Sequence, residues 1–413
     1  AGNNTNVSVT NAVFTSNTAA GASARGGAIF VDGGSSATVL GSTLTVVGST
    51  FTTNGAVYGG AIFADNGYSN ASYATVSISS SAFTGNYASE TLVDASSEAA
   101  GGAIYLGYYD KLYIDSPSGL PGTTATTFTG NYASAISSGA GDLEANAAGG
   151  AIYIGYGATS YISNASFTVN YAQSSASSTS GSAGANSRGG AITGESTSSL
   201  TIYGCIFGTS ATTGNYAVAS ATGTSASSFA EGGAILMYKL TTLNIESNTL
   251  AGSQSSFYGN YTEATNTVGL VSSNGTSMGG AIYLGAGSAL TIEKYAGSAS
   301  TYSAIFTGNG IKDGTSTVTT VDGGAIALEA NYSATQATTA AIFNAEFLKN
   351  AALEDGVAIY AVAGSSSLFG ATITLSNDVF GTSSSDGNHA GIEGVAIYIG
   401  GYSELYIEDS VAA

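Results

Sequence analysis

Basic residues are scarce. The 413-residue chain carries seven Lys and Arg against 26 Asp and Glu, a formal net charge of −19, although only 8% of its residues are charged. Such an acidic surface repels nucleic acid and anionic membranes and favours cations. Seven cations do not make the basic stripe that phosphate contacts need, which argues against nucleic-acid binding. Cysteine is down to one, Cys205, so no intrachain disulfide framework exists. That does not place the chain in the cytosol. Cys205 lies between Ile202 and Phe207 in a strand-like run and reads as a small, partly buried apolar residue. No apolar run reaches the 18 or so residues of a membrane-spanning helix. The two prolines, Pro117 and Pro121, fall in one insertion, as expected of a chain whose ladder hydrogen bonds must stay intact. The chain opens on Ala1 with no basic or apolar leader, which reads as a processed chain or a fragment of one.

What is abundant is a repeat. Gly-Gly-Ala-Ile begins at Gly26, Gly59, Gly101, Gly149, Gly189, Gly232, Gly279 and Gly323, and Gly-Val-Ala-Ile at Gly356 and Gly394. Ten Phe residues interleave with these tetrads: Phe14, Phe51, Phe83, Phe128, Phe167, Phe207, Phe257, Phe306, Phe347 and Phe380. A period of roughly 30–50 residues means a solenoid, in which stacked repeats share one core. Residues 1–413 are therefore expected to form one elongated domain. The 59 glycines and the Ser/Thr-rich composition resemble disorder, but a disordered tract has no reason to keep Ile at one repeat position ten times.

Within Gly101–Asn131, the glycine pair forms a turn that only Gly makes cheaply. Ala103-Ile104-Tyr105-Leu106 follows with period 2, the mark of a half-buried strand. Leu112-Tyr113-Ile114 alternates again, and a third strand carries Phe128. An aliphatic residue stands five before most of the Phe residues: Val9, Val46, Ile78, Ile162, Ile202, Ile342 and Leu375. Insertions move it further away at Ile114, Ile245 and Ile292. Three short strands joined by Gly-rich corners make one turn of a parallel β-helix, with like positions about 4.8 Å apart in successive coils. Three residues after each Phe an Asn recurs, at Asn17, Asn54, Asn86, Asn131, Asn170, Asn260, Asn309 and Asn350, with a longer step to Asn215 and Asn388. Asn tolerates the corner conformation, and stacked amides bond along a column. Repeat length varies mainly between the Asn and the next Gly-Gly. The Ser/Ala-rich inserts there are expected to be loops along one edge.

Alternating Gly-Gly-Ala-Ile and Phe-x-x-Asn resembles the signature of the chlamydial polymorphic outer membrane proteins. It is also similar to a wider set of bacterial surface repeat proteins. The resemblance runs from Phe14 to Ile397. It implies an all-β fold, a right-handed parallel β-helix of about ten coils. It also implies display outside the cell, many such proteins being autotransporter passengers ahead of a C-terminal barrel that this sequence lacks. Family members include adhesins and surface fibres, so the implied role is structural or adhesive rather than enzymatic.

Parallel β-helices also act on polysaccharides, with clustered carboxylates and a positioned Arg, Lys or His. Here His389 is alone, and Arg25 and Arg188 precede Gly-Gly turns about five coils apart. No nucleophile–base pair stands out, and ten doubled glycines are architecture rather than a nucleotide fingerprint. One acidic feature rises above this background. Asp322, Asp355 and Glu393 precede the glycine turn in three consecutive coils, with Glu231 earlier in the same column and Glu354 beside it. Carboxylates stacked about 4.8 Å apart repel by about 1 kcal/mol per pair even in water. A hard cation such as Ca²⁺ would relieve that repulsion, making the column a candidate calcium position. Without a cation, the side chains would splay into solvent. The residue after each tetrad Ile points away from the core and is usually aromatic: Phe30, Phe63, Tyr105, Tyr153, Tyr283, Tyr360 and Tyr398. A second set follows the Asn, at Tyr87, Tyr132, Tyr171, Tyr216 and Tyr261. Stiff amphipathic Tyr rings suit glycan or host-surface contact, or stack to stiffen the sheet. The first and last coils show no charged cap, so head-to-tail stacking with copies of the chain, or with flanking repeats, is expected. The reading is thus an extracellular stalk or fibre subunit. The alternative is a glycan-binding or polysaccharide-degrading β-helix.

Overall fold

The computed structural model describes residues 4–32, 41–65, 72–115, 124–247, 254–294, 298, 300–313, 320–330, 336–353, 355–362, 370–383, 386–390 and 395–408. Pro117, Pro121, Glu354 and Glu393 lie outside them. The chain winds as a right-handed parallel β-helix. Among the described residues every regular element is a strand, and every strand pairing is parallel to the equivalent segment of the next coil. The strands form four sheets of 10, 11, 10 and 13 strands. In the coil starting at Gly101, the first three sheets receive Ile104–Leu106, Lys111–Ile114 and Thr127–Thr129, as the residue pattern requires.

A glycine pair opens the coils that begin with Gly-Gly-Ala-Ile, for two separate reasons; at Gly356 a Val follows instead. Gly101 has φ +67, a left-handed conformation that Gly adopts without strain. Gly102 has ordinary φ, but a Cβ there would collide with the carbonyl of Gly150 in the next coil. Behind this turn the core is a set of unbroken columns. The ten tetrad Ile residues pair in register from Ile29 to Ile397. The aliphatic column runs from Val9 to Leu375 and takes in the displaced Ile114, Ile245 and Ile292. The ten Phe rings stack face to face with centroids 4.7 to 4.9 Å apart. Burying each such side chain contributes about 1.5–3 kcal/mol, which no coil could realise alone.

The Asn residues form a parallel polar column just past the Phe. The side chain of Asn131 accepts from the backbone N–H of Asn86 at 3.0 Å and from its Nδ2 at 2.9 Å. Its own Nδ2 donates to the carbonyl of Phe83 at 2.9 Å and to Oδ1 of Asn170 at 3.0 Å. Asn215 and Asn388, at the longer steps, occupy the same column.

The long inserts between Asn86 and Gly279 are not loops. They form the fourth sheet, a two-layered fin standing off the coil. In the Gly101 coil the chain leaves along Tyr132–Gly139 and returns along Leu143–Ala148. The next coil does the same with Tyr171–Ser178 and Ser182–Arg188, in register on both layers. Ala and Ser at alternate positions make this possible. Ala133, Ala135, Ala145, Ala147, Ala172, Ala176, Ala183 and Ala185 are buried in a second core cluster, and side chains this small let two sheets approach closely. Ser174 and Ser187 join the layers by a hydrogen bond of 2.7 Å. Cys205, expected to be a partly buried apolar residue, is fully buried in the main core, and burial pushes its thiol pKa up to about 12.

Burial also leaves carboxylates that favour protonation. Asp110 is fully buried at a corner. Its Oδ1 accepts from the N–H of Ala74 at 2.7 Å, while Oδ2 has no partner. Desolvation raises its pKa to about 8. Asp378 is raised to about 7, again mainly by burial. A carboxyl whose pKa is higher folded than unfolded stabilises the fold fully below the unfolded value, and that contribution is lost as pH rises through the folded value. The melting temperature is therefore expected to fall between pH 5 and pH 9, and Asp110→Asn is expected to flatten that slope and stabilise the protein at pH 8. A melting temperature that climbs over this interval would contradict the assignment.

Candidate functional site

The candidate site lies where the first sheet meets the fin. Its floor is the column Phe30, Phe63, Tyr105, Tyr153, Thr193, Leu236, Tyr283, Ala327, Tyr360 and Tyr398. These residues do point away from the core. Of the two roles expected for the rings, stacking is present: Phe30, Phe63, Tyr105 and Tyr153 stack in series, as do Tyr360 and Tyr398. Phe63, Thr193, Leu236, Tyr283 and Ala327 are all buried, and Leu236, Tyr283 and Ala327 join Met278 in a separate apolar cluster. The residue preceding each Gly-Gly supplies one rim, in the column Arg25, Tyr58, Ala100, Ala148, Arg188, Glu231, Met278 and Asp322. Arg25 and Arg188 are four coil steps apart in that column, so they serve separate places. The turn after each first-sheet strand supplies the other rim.

The aromatic floor is interrupted once by small or aliphatic residues two coils in a row. Tyr105 stacks on Tyr153 at 4.7 Å, and then Thr193 and Leu236 take the next two positions. The Thr193 hydroxyl turns to the backbone, donating to the carbonyl of Arg188 at 2.7 Å and accepting from the N–H of Gly149 at 2.9 Å. Beside this gap lies a cavity of about 230 Å³ lined by Asn186, Arg188, Phe229, Glu231, Tyr238, Lys239, Tyr283 and Glu329. Arg188 and Glu231 stand on neighbouring strands. The Arg188 guanidinium and the Lys239 ammonium each lie 5.0 Å from the centre of the Tyr238 ring. Glu329 accepts from the Tyr283 hydroxyl at 3.0 Å and from the N–H of Ala286 at 3.2 Å. Burial raises the Glu231 carboxyl to about 7, against the pull of nearby Arg188. Two cations and two carboxylates thus share one cavity, yet among the described residues the only direct ion pair is Lys349–Asp386 elsewhere.

The acidic column is divided. Asp322 is buried, and its Oδ1 accepts from the backbone N–H of Asp355 at 2.9 Å. Its carboxylate also takes the Tyr360 hydroxyl, whose pKa rises through burial and this contact. Asp355 is half-buried, and Glu393 lies outside the described residues. Among the described residues, no cluster of three or more His, Cys, Asp and Glu is arranged to hold a metal ion. Millimolar Ca²⁺ is expected to leave the melting curve unchanged, because Asp322 already spends its oxygens inside the protein. A rise in melting temperature that disappears when Asp322, Asp355 and Glu393 are all changed to their amides would instead make this column a cation site.

The second Tyr set is a ladder. Tyr87, Tyr132, Tyr171, Tyr216 and Tyr261 stack at 4.9 to 5.5 Å, and Lys312 Nζ lies 3.2 Å from the centre of the Tyr261 ring. Their faces meet one another, so they offer solvent edges and hydroxyls only. His389 is exposed in a short strand pairing with Ala351–Ala352. Lys239, Glu329 and Phe229 were not legible as a site, because they come from three different repeats, Phe229 from a fin strand and the other two from just after first-sheet strands. The one available signal was the interruption of the aromatic column at Thr193 and Leu236. No known family model matches the chain, and no curated protein matches it.

Proposed function

We propose that the chain is a non-enzymatic structural or adhesive segment of an extracellular or cell-surface protein, similar in plan to the surface repeat proteins whose motifs it shares. The observation that carries this reading is the continuity of its columns. One Ile, one Phe and one Asn repeat through ten coils, the Asn buried in all but the first and last, so the molecule is built as a stiff rod rather than around a reaction centre. The Tyr ladders support it, since ring faces spent on each other stiffen the sheet and leave no long stacking platform. The strands Asn6–Thr10 and Glu404–Glu408 each pair on one side only, and Ile407 is 76% exposed. Further coils fit there, from a second copy or from flanking repeats of the same protein. Electron micrographs of the purified chain are expected to show end-to-end rods with an axial step of roughly 48 Å, ten coils of about 4.8 Å. Uniform short particles at high concentration would end the fibre proposal.

A second reading, glycan binding, is favoured by one observation, the mixed-charge cavity beside the gap in the aromatic floor. It gathers two carboxylates, two cations and aromatic edges from neighbouring coils on an otherwise repetitive surface.

A further inference from the structure

We infer that the cavity bounded by Arg188, Glu231, Lys239 and Glu329 is a subsite for a single neutral pyranose unit of a glycan; this rests on the second reading above. Four features point to that chemistry. The first is the unmet bonding capacity. Arg188 Nε is buried and has no hydrogen-bond partner, and among the described residues no direct ion pair links either cation of the cavity to either carboxylate. Charged groups held in one cavity without pairing retain strong donors and acceptors for a guest, and charge-assisted hydrogen bonds are the strongest available to it.

The second is charge balance. Two cations and two carboxylates cancel once Glu231 is ionised, above its raised pKa of about 7, so an anionic guest there gains on Arg188 and Lys239 what it loses on Glu231 and Glu329. The net charge of −19 further disfavours an acidic sugar. A hydroxyl both donates and accepts. A ring of neighbouring hydroxyls can therefore donate to the two carboxylates while accepting from Arg188 and Lys239.

Size is the third. About 230 Å³ is below the roughly 300–1,000 Å³ of sites for drug-sized ligands, so one small unit fits. The fourth is position. Phe229 and Tyr238 flank the cavity with half-buried rings, giving a pyranose C–H edge an apolar wall. The site exists because the coils of Thr193 and Leu236 supply no floor ring, while the inserts leading into those two coils carry Asn186, Arg188, Phe229 and Glu231 onto the rim.

Saturation-transfer difference NMR on the whole chain tests this, using as probes the methyl glycosides of glucose, galactose and mannose, together with N-acetylglucosamine. Glucuronate, galacturonate and glycine serve as charged and zwitterionic comparators. Transfer to at least one neutral pyranoside and not to the comparators is expected. Glu231→Gln and Lys239→Ala should each weaken that binding about 10-fold or more, the loss of one hydrogen bond to a charged group. Lys239 is exposed, so its removal leaves the fold intact. Neutral-sugar binding that both variants retain would overturn the site while sparing the glycan reading. No transfer from any neutral probe would overturn both. Transfer from glycine or the uronates instead would replace the pyranose with a charged guest.

Discussion

Phe167→Ala is expected to lower the unfolding free energy by about 3–5 kcal/mol, the usual cost of truncating a buried aromatic residue to Ala. Phe167 is completely buried, and its ring lies 4.8 Å from both Phe128 and Phe207, nearly parallel to each. The cavity left by its removal cannot easily collapse, because strands above and below are held in register by their own ladders. Two ring–ring contacts vanish as well as the burial of one side chain. Chemical denaturation reads the effect directly. A loss below about 1 kcal/mol would mean that the Phe column is not the core element described.

Asn131→Ala is expected to cost about 2–6 kcal/mol, more than the small volume change suggests. The substitution removes the acceptor of the Asn86 backbone N–H and the donor to the Phe83 carbonyl, both inside the protein. Each buried polar group left without a partner costs about 1–3 kcal/mol. Asn131→Asp separates geometry from charge. The carboxylate keeps its acceptors but faces the Phe83 and Asn170 oxygens without a proton to donate, so most of the loss should disappear as the pH falls and the carboxyl is protonated. An exposed neighbour such as Thr129→Ala should change stability by no more than about 0.5 kcal/mol. Equal melting temperatures for the Asn131 variants and wild type would show that the column is ornamental.

The columns were readable because each depends on a local pattern that repeats. Ile after Gly-Gly-Ala, Phe after a period-2 strand and Asn at the next corner each mark one place on the coil. Even Ile114, Ile245 and Ile292 were assignable despite their insertions, because alternation around them survives. The fin was misread for a physical reason. A tract such as Tyr132-Ala-Ser-Ala-Ile-Ser-Ser-Gly139 has no large apolar residues in phase, so its period-2 alternation of Ala and Ser looked like loop composition. Such a strand is stable only against equally small partners on the facing layer and on the coils to either side.

The amino-acid sequence by itself determined the coil: its turn glycines, its three core strands, its stacking columns and the acidic, nearly cation-free surface. Those features follow from short-range patterns, and the same residue types at the same corners in successive coils stack in register even where insert lengths differ. Only the tertiary structure decided which outward residues meet solvent. Tyr283 and Tyr153 occupy equivalent positions in the repeat, yet Tyr283 is buried with Leu236 and Met278 while Tyr153 stacks on Tyr105. The cavity of Arg188, Glu231, Lys239 and Glu329 likewise belongs to no single repeat. It arises where coils of unequal insert length lie side by side, so that residues far apart in the chain share one space.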